Sequence, residues 1–217
     1  MENPLNKFTK KDLYFSIITG LLTGFLAWKI FIFLELPEFV GISYAWLTVL
    51  IPILWILGVN LGYFLGQWLG FFDQFGKFSA IGFTNAAVYF GILNILIFWS
   101  GLNRGLWYSV FVAIAFIIAT SISYFWNKFW TFSSSAKSGF AGGQSENQIS
   151  GEEFGKFLTV SAIAGLVSVS VASLVVNLTN PVFGLTLDQW ANVGGVAGSA
   201  VALVFSFAGF KLAVFRK

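Results

Sequence analysis

The residues in this chain best suited to chemistry are lysines at the ends of apolar segments. Lys77 and Lys128 flank one pair of such segments, and Lys156 and Lys211 flank another. A lipid phosphate needs a cation near the headgroup plane, and a lysine ammonium serves there as a compact point charge. The competing reading is that these lysines follow the excess of positive charge on cytoplasmic loops and only anchor helix ends. Asn85 and Asn94 lie inside one apolar segment at a spacing that puts them on opposite faces of a helix. A buried amide in lipid is costly unless satisfied, so each must face another helix or a polar ligand. Interhelical hydrogen bonding is one use, and contact with a sugar hydroxyl or phosphate is the other. Lys29 is the one ionised side chain deep in an apolar segment. It lies close enough to the outer end to extend beside Trp28 and Glu35 to the interface.

No catalytic constellation accompanies these residues. With 0 Cys and 0 His, thiol catalysis, thiolate metal sites, disulfides and the commonest proton shuttle are excluded. Asp73, Glu146, Glu152 and Glu153 fall in loops with no convergent partner. The glycines at 139–143 lack the following Lys of a phosphate-binding loop. The expectation is a protein that is not an enzyme, with no metal and no cofactor.

The elements that must position the lysines are membrane helices. Of 217 residues, 57% are hydrophobic and 10% charged, against about 25% charged in a soluble domain. The mean hydropathy is +0.82. Apolar segments run over 13–34, 44–68, 79–99, 106–126, 157–177 and 191–210. Each is long enough, at about 1.5 Å per residue, to cross a hydrocarbon core of about 30 Å. They do not alternate as barrel strands would. The first follows Lys7, Lys10 and Lys11 like a signal peptide, but it is too long for one and lacks a small-residue cleavage site, so it is expected to be retained.

The predicted fold is therefore all-α: a polytopic membrane protein of six transmembrane helices in three parallel hairpins. With the N-terminus inside, Lys7, Lys10, Lys11, Lys77, Lys128, Lys137, Lys156, Lys211, Arg216 and Lys217 are cytoplasmic, and Arg104 alone is outside. That bias predicts both termini in the cytoplasm and a multi-pass protein of the cytoplasmic membrane. A net charge of +3 is too small for a nucleic-acid-binding surface. Residues 133–153, rich in Ser, Gly, Gln and Asn, read as a flexible cytoplasmic linker. Glycines at helical spacing (Gly20 and Gly24; Gly58, Gly62 and Gly66; Gly194 and Gly198) predict close helix packing, within the chain or in a homo-oligomer. Tryptophans near segment ends, Trp130 among them, predict an interfacial belt.

Phe75-Gly76-Lys77-Phe78 recurs as Phe154-Gly155-Lys156-Phe157, each opening a segment from the same side. Such parallel repeats are related by an axis along the membrane normal, and a groove between them is where many transporters bind substrate. The first copy, with Ile81-Gly82, Asn85 and the exit Asn127-Lys128-Phe129-Trp130-Thr131-Phe132, resembles the GtrA-like family of small membrane proteins. The resemblance spans 75–217, looser in its second half, where Phe210 replaces the exit Asn. It leaves 1–74 as an additional N-terminal two-helix hairpin before a four-helix domain. The resemblance implies a role in cell-surface polysaccharide or glycan synthesis. On it, the protein moves polyprenyl-phosphate-linked sugar across the cytoplasmic membrane, or acts as a non-transporting scaffold that supports a glycosyltransferase. Together with the lysine argument it gives an expected substrate-binding set of Lys77, Asn85, Asn127, Lys128, Trp130, Lys156 and Lys211. Tyr89 stands where the family often has an acidic residue, so a carboxylate cannot act at that position here.

Overall fold

In a computed structural model of the chain, residues 7–38, 41–131 and 151–213 are described, apart from the side chains of residues 128, 151–158 and 203–213. The elements are α1 (Lys10–Phe33), a 3-10 turn (Tyr44–Trp46) leading into α2 (Leu47–Leu65), α3 (Phe72–Ser100), α4 (Gly105–Trp126) continued by a π-helical turn (Asn127–Thr131), α5 (Gly151–Leu178) and α6 (Leu187–Ala213). Among the described residues there is no β-strand. The stretches Lys10–Phe33, Tyr44–Leu65, Phe72–Ser100, Gly105–Thr131 and Thr159–Leu178 are each long and apolar enough to cross a membrane. The chain is an all-helical, polytopic membrane protein.

The helices differ from the apolar segments at their ends. α2 stops at Leu65 rather than running to Trp68, because Gly66, Gln67 and Trp68 tighten into a turn closed by Gln67 N–H to the Phe64 carbonyl (3.3 Å) and Trp68 N–H to the Leu65 carbonyl (3.0 Å). α3 opens at Phe72, before its apolar stretch, because Asp73, Gln74 and Lys77 are helical yet polar and so invisible to hydropathy. Gly101 and Gly105 bound the α3–α4 turn with φ of +70° and +75°, a conformation glycine adopts without steric cost.

Two compact units make up the chain: Met1–Gly91 with Ser121–Glu146, and Ile92–Thr120 with Asn147–Lys217. Their boundaries fall inside α3 and α4. In the first unit, glycines set the helix spacing. A Cβ on Gly20 or Gly24 of α1 would collide with the backbone of Pro52 or of Leu47 and Thr48 on α2. A Cβ on Gly76 of α3 would lie 2.8 Å from the Gly58 carbonyl oxygen of α2, and one on Gly62 would lie 2.8 Å from the Phe72 carbonyl oxygen. These small residues let backbones touch where side chains would hold them apart. α1 and α3 are further joined by Thr23 Oγ1 donating to Thr84 Oγ1 at 2.9 Å. The core of this unit gathers Val59, Tyr63, Ala80, Ile81 and Trp130, with Phe8, Phe15, Trp55 and Trp126 packed on it.

In the second unit, Gly194 and Gly198 of α6 abut Val176, Ala172 and Ser168 of α5. Asn94 of α3 and Asn192 of α6 exchange amide hydrogen bonds of 3.0 and 2.7 Å, both residues buried. Interhelical bonding is thus the use Asn94 has. Arg104 caps the end of α5 by donating to the carbonyls of Val176 (3.0 Å) and Thr179 (2.8 Å). The Asn177 side chain in return accepts from Gly105 N–H at the start of α4, at 2.6 Å. Lys29 lies over the Trp28 ring, 4.2 Å from its centroid, and 5.7 Å from that of Phe25. Its charge is met by ring faces.

Candidate functional site

The site is assembled around a carboxylate at the first turn of α1. Thr9 is the N-cap: its hydroxyl accepts from Asp12 N–H, and the Asp12 side chain accepts from Thr9 N–H, a capping box. That geometry turns the Asp12 carboxylate inward, where it is 1% exposed. Its Oδ2 accepts from Thr9 N–H (3.0 Å), Thr9 Oγ1 (2.8 Å) and Tyr63 OH of α2 (2.9 Å). Its Oδ1 faces Lys77 Nζ of α3 at 2.7 Å and accepts from Trp130 Nε1 at 2.9 Å. The start of α1, the end of α2, the start of α3 and the π-helical turn that ends α4 therefore meet at one end of the first unit.

Lys77 is as buried as its partner, at 5% exposure, and its ammonium also lies 5.3 Å from the Tyr63 ring centroid. An ion pair this far from water is held only because both charges are hydrogen-bonded. Outside it, Lys7 Nζ donates to both carboxylate oxygens of Asp73, at 3.2 and 2.9 Å. Asp73 and Lys77 stand one turn apart on α3, so the start of α1 meets α3 through two ion pairs of opposite sense. This second pair is about one-third exposed on each side and contributes little by itself.

The Phe75-Gly76-Lys77 motif now has a physical account in its first copy. Gly76 lets α2 lie against α3, and Lys77, the next residue, is turned into the resulting seam to meet Asp12. Trp130, expected in an interfacial belt, is instead fully buried, stacked on Phe15 at 5.4 Å between centroids. The π-helical turn carries it there; such insertions re-aim side chains and recur at functional sites. Lys77 and Trp130 are thus brought together on Asp12. Asp73, expected to lack a partner, has one in Lys7.

Asn85 and Asn127 share a different property. The Oδ1 atoms of both are buried and accept no hydrogen bond, while Asn127 Nδ2 donates to the Ser123 carbonyl at 3.0 Å. Lys128 lies in the π-helical turn, Lys156 in α5 and Lys211 in α6, each just beyond the apolar segment read from the sequence, and their side chains fall outside the described residues. The linker at 133–153 likewise falls outside them up to residue 150.

Asp12 and Tyr63 are the site residues that sequence reasoning missed. The signal for Asp12 was present in Thr9-Lys10-Lys11-Asp12, a capping-box pattern directly ahead of an apolar run. Tyr63 carries no comparable mark. Residues 77–215 match the GtrA/DPMS transmembrane domain. The chain belongs to the GtrA/DPMS family. That makes it a multi-pass membrane protein of glycan synthesis or lipid-linked sugar handling. No curated protein and no solved structure matches it. The GtrA/DPMS match begins at Lys77 and includes Trp130, whereas Asp12 and Tyr63 precede it. In this family member, then, Asp12, ahead of the matched domain, supplies the counter-ion to the domain's first lysine, and Tyr63 supplies a hydroxyl to that counter-ion and a ring face to the lysine.

Proposed function

We propose that this protein moves polyprenyl-phosphate-linked sugar across the cytoplasmic membrane for cell-surface polysaccharide or glycan synthesis, without catalysing a covalent step. Both termini lie in the cytoplasm on this reading, and the buried end of the first unit faces the inner leaflet. The lipid phosphate is drawn by the lysines at that face, Lys77 and Lys128, with Lys156 and Lys211 as their counterparts in the second hairpin. Trp130 shapes the site through Asp12 rather than by stacking on sugar.

The observation that carries the reading is the pair of orphan amide oxygens, Asn85 Oδ1 and Asn127 Oδ1. A buried acceptor left unmade costs about 1–3 kcal/mol. Among the described residues several buried hydroxyls and indole N–H groups are also unpartnered, and these two are the amide oxygens among them, the acceptors a sugar hydroxyl can donate to. Sugar hydroxyls are donors that pass through such a place only if acceptors meet them. The family supplies the lipid-linked sugar, and the two amides supply what its glycan needs.

The test is scrambling in liposomes that contain this protein alone and a fluorescent or tritiated polyprenyl-phosphate sugar. Accelerated transfer between leaflets, reduced by Asn85→Leu with Asn127→Leu, supports translocation. Transfer at the rate of empty liposomes overturns it and leaves the scaffold that recruits a glycosyltransferase.

A further inference from the structure

The donors around Asp12 form a complete anion cradle. A helix N-terminal N–H (Thr9), two hydroxyls (Thr9 and Tyr63), an indole N–H (Trp130) and an ammonium (Lys77) converge on one carboxylate within 2.7–3.0 Å. They come from α1, α2, α3 and the π-helical turn, so none is there by sequence proximity to another except the two from Thr9. Nothing in this donor set is particular to a carboxylate. The three donors that α1 does not carry, an ammonium, a phenol hydroxyl and an indole N–H, are equally groups that hold a phosphate. The carboxylate in the middle belongs to the first turn of a helix, next to Lys10 and Lys11.

We propose that this cradle is a phosphate site whose resident ligand is the chain's own Asp12, so that Asp12 competes with phosphate for Lys77 and sets when Lys77 can be reached. The inference rests on the reading of Lys77 as a phosphate ligand given above, and it adds the device that controls access. With Asp12 seated, Lys77 is paired and almost unexposed and offers nothing to an incoming headgroup. When the first turn of α1 withdraws, the carboxylate moves out beside Lys10 and Lys11, and a phosphate oxygen takes its place between Lys77, Tyr63 and Trp130. The charge at Lys77 is balanced in both states.

The experiment compares wild type, Asp12→Ala and Asp12→Ala with Lys77→Met, purified in detergent in a buffer free of phosphate. Inorganic phosphate and a short-chain polyprenyl phosphate are the two probes, read by melting temperature and by direct titration. Removing the resident carboxylate strands Lys77, so Asp12→Ala is expected to melt below wild type and to recover with phosphate in a saturable way. Wild type is expected not to respond at the same inorganic phosphate concentrations, and the double variant to respond to neither probe. Polyprenyl phosphate is expected to bind Asp12→Ala at least about tenfold more tightly than wild type, the gain from removing one charged competitor. Rescue by inorganic phosphate without any gain for the lipid supports the cradle and assigns it to free phosphate, which leaves the cradle standing while the lipid reading fails. A folded Asp12→Ala that responds to neither probe overturns the proposal, even if wild-type protein scrambles lipid-linked sugar. Should Asp12→Ala not fold, the near-isosteric Asp12→Asn answers the same question. A neutral amide competes less well than a carboxylate, so the lipid affinity should again rise, and an affinity equal to wild type overturns the proposal.

Discussion

Replacing Lys77 by Met should cost far more stability than a lysine at a membrane edge usually does. An exposed helix-end lysine contributes little to packing, and its loss would leave folding intact. Lys77 is instead 5% exposed and 2.7 Å from a carboxylate that is itself 1% exposed. At an effective dielectric of about 20, charges 2.7 Å apart attract by roughly 6 kcal/mol. Desolvation of the two ions costs several kcal/mol each, so the pair as a whole contributes little net stability. Removing one partner is different, because the other stays behind as an uncompensated charge, at about 3–5 kcal/mol. Asp12 would keep its bonds from Thr9, Tyr63 and Trp130, which argues for the lower half of that range. For a chain of this size about 3 kcal/mol shifts the melting temperature by roughly 6–12 °C. The assay is thermal unfolding in detergent of wild type, Lys77→Met, Asp12→Leu and the double variant, combined as a cycle. Each single change should lower the melting temperature, and the double change should recover most of the loss, since an apolar pair replaces a buried ionic one at little cost. Single variants that melt with wild type would refute the burial argument and return Lys77 to the role of a topology signal.

Three further outcomes follow from other parts of the fold. Asn94→Leu strands the Asn192 amide and should cost about 1–2 kcal/mol, while Asn94→Leu with Asn192→Leu should be close to neutral by the same melting assay. Gly76→Ala puts a methyl 2.8 Å from the Gly58 carbonyl oxygen and should lower stability by about 1–3 kcal/mol, with Ser79→Ala on the same helix as a control that does not. Because the chain has 0 native Cys, single cysteines at Asn147 and Thr186 can be labelled in intact cells. They should react from opposite sides, Thr186 with an impermeant reagent and Asn147 only after permeabilisation; the reverse would invert the orientation.

The helices were legible in the sequence because lipid imposes one rule on every residue of a span. Runs of about 20 apolar residues can only be helices there. Glycine spacing was legible for the same reason: Gly20, Gly24, Gly62, Gly194 and Gly198 announce close backbones, and each lies against a neighbouring helix, whereas a Cβ on Gly58 would meet nothing and Gly76 was read only as part of a repeat. The burial of Lys77 was not legible. A lysine near a span end reads the same whether it extends to water or turns inward, and only the placement of α1 against α3 decides between them. Asp12 was missed because a carboxylate beside Lys10 and Lys11 reads as a solvated helix start, although its capping-box spacing from Thr9 fixed its direction. Trp130 was misplaced because its register depends on the π-helical turn over Asn127–Thr131, which has no hydropathy signature. Asn85 and Asn94 show the limit most plainly. Both are amides in one span; one found Asn192, and the other has an unpaired oxygen.

The central claim, that the first unit receives a sugar carried on a lipid phosphate, is tested most directly by binding. Purified protein is titrated with a polyprenyl-phosphate sugar and with the same polyprenyl phosphate lacking the sugar, for wild type and for Asn85→Leu with Asn127→Leu. Two hydroxyl-to-amide bonds at about 1 kcal/mol each correspond to roughly tenfold or more in affinity. Wild type should therefore prefer the glycosylated lipid by about that factor, and the double variant should lose the preference while its melting temperature is held or raised. Equal affinity of wild type for the two lipids, or a preference that survives in the double variant, would contradict the account.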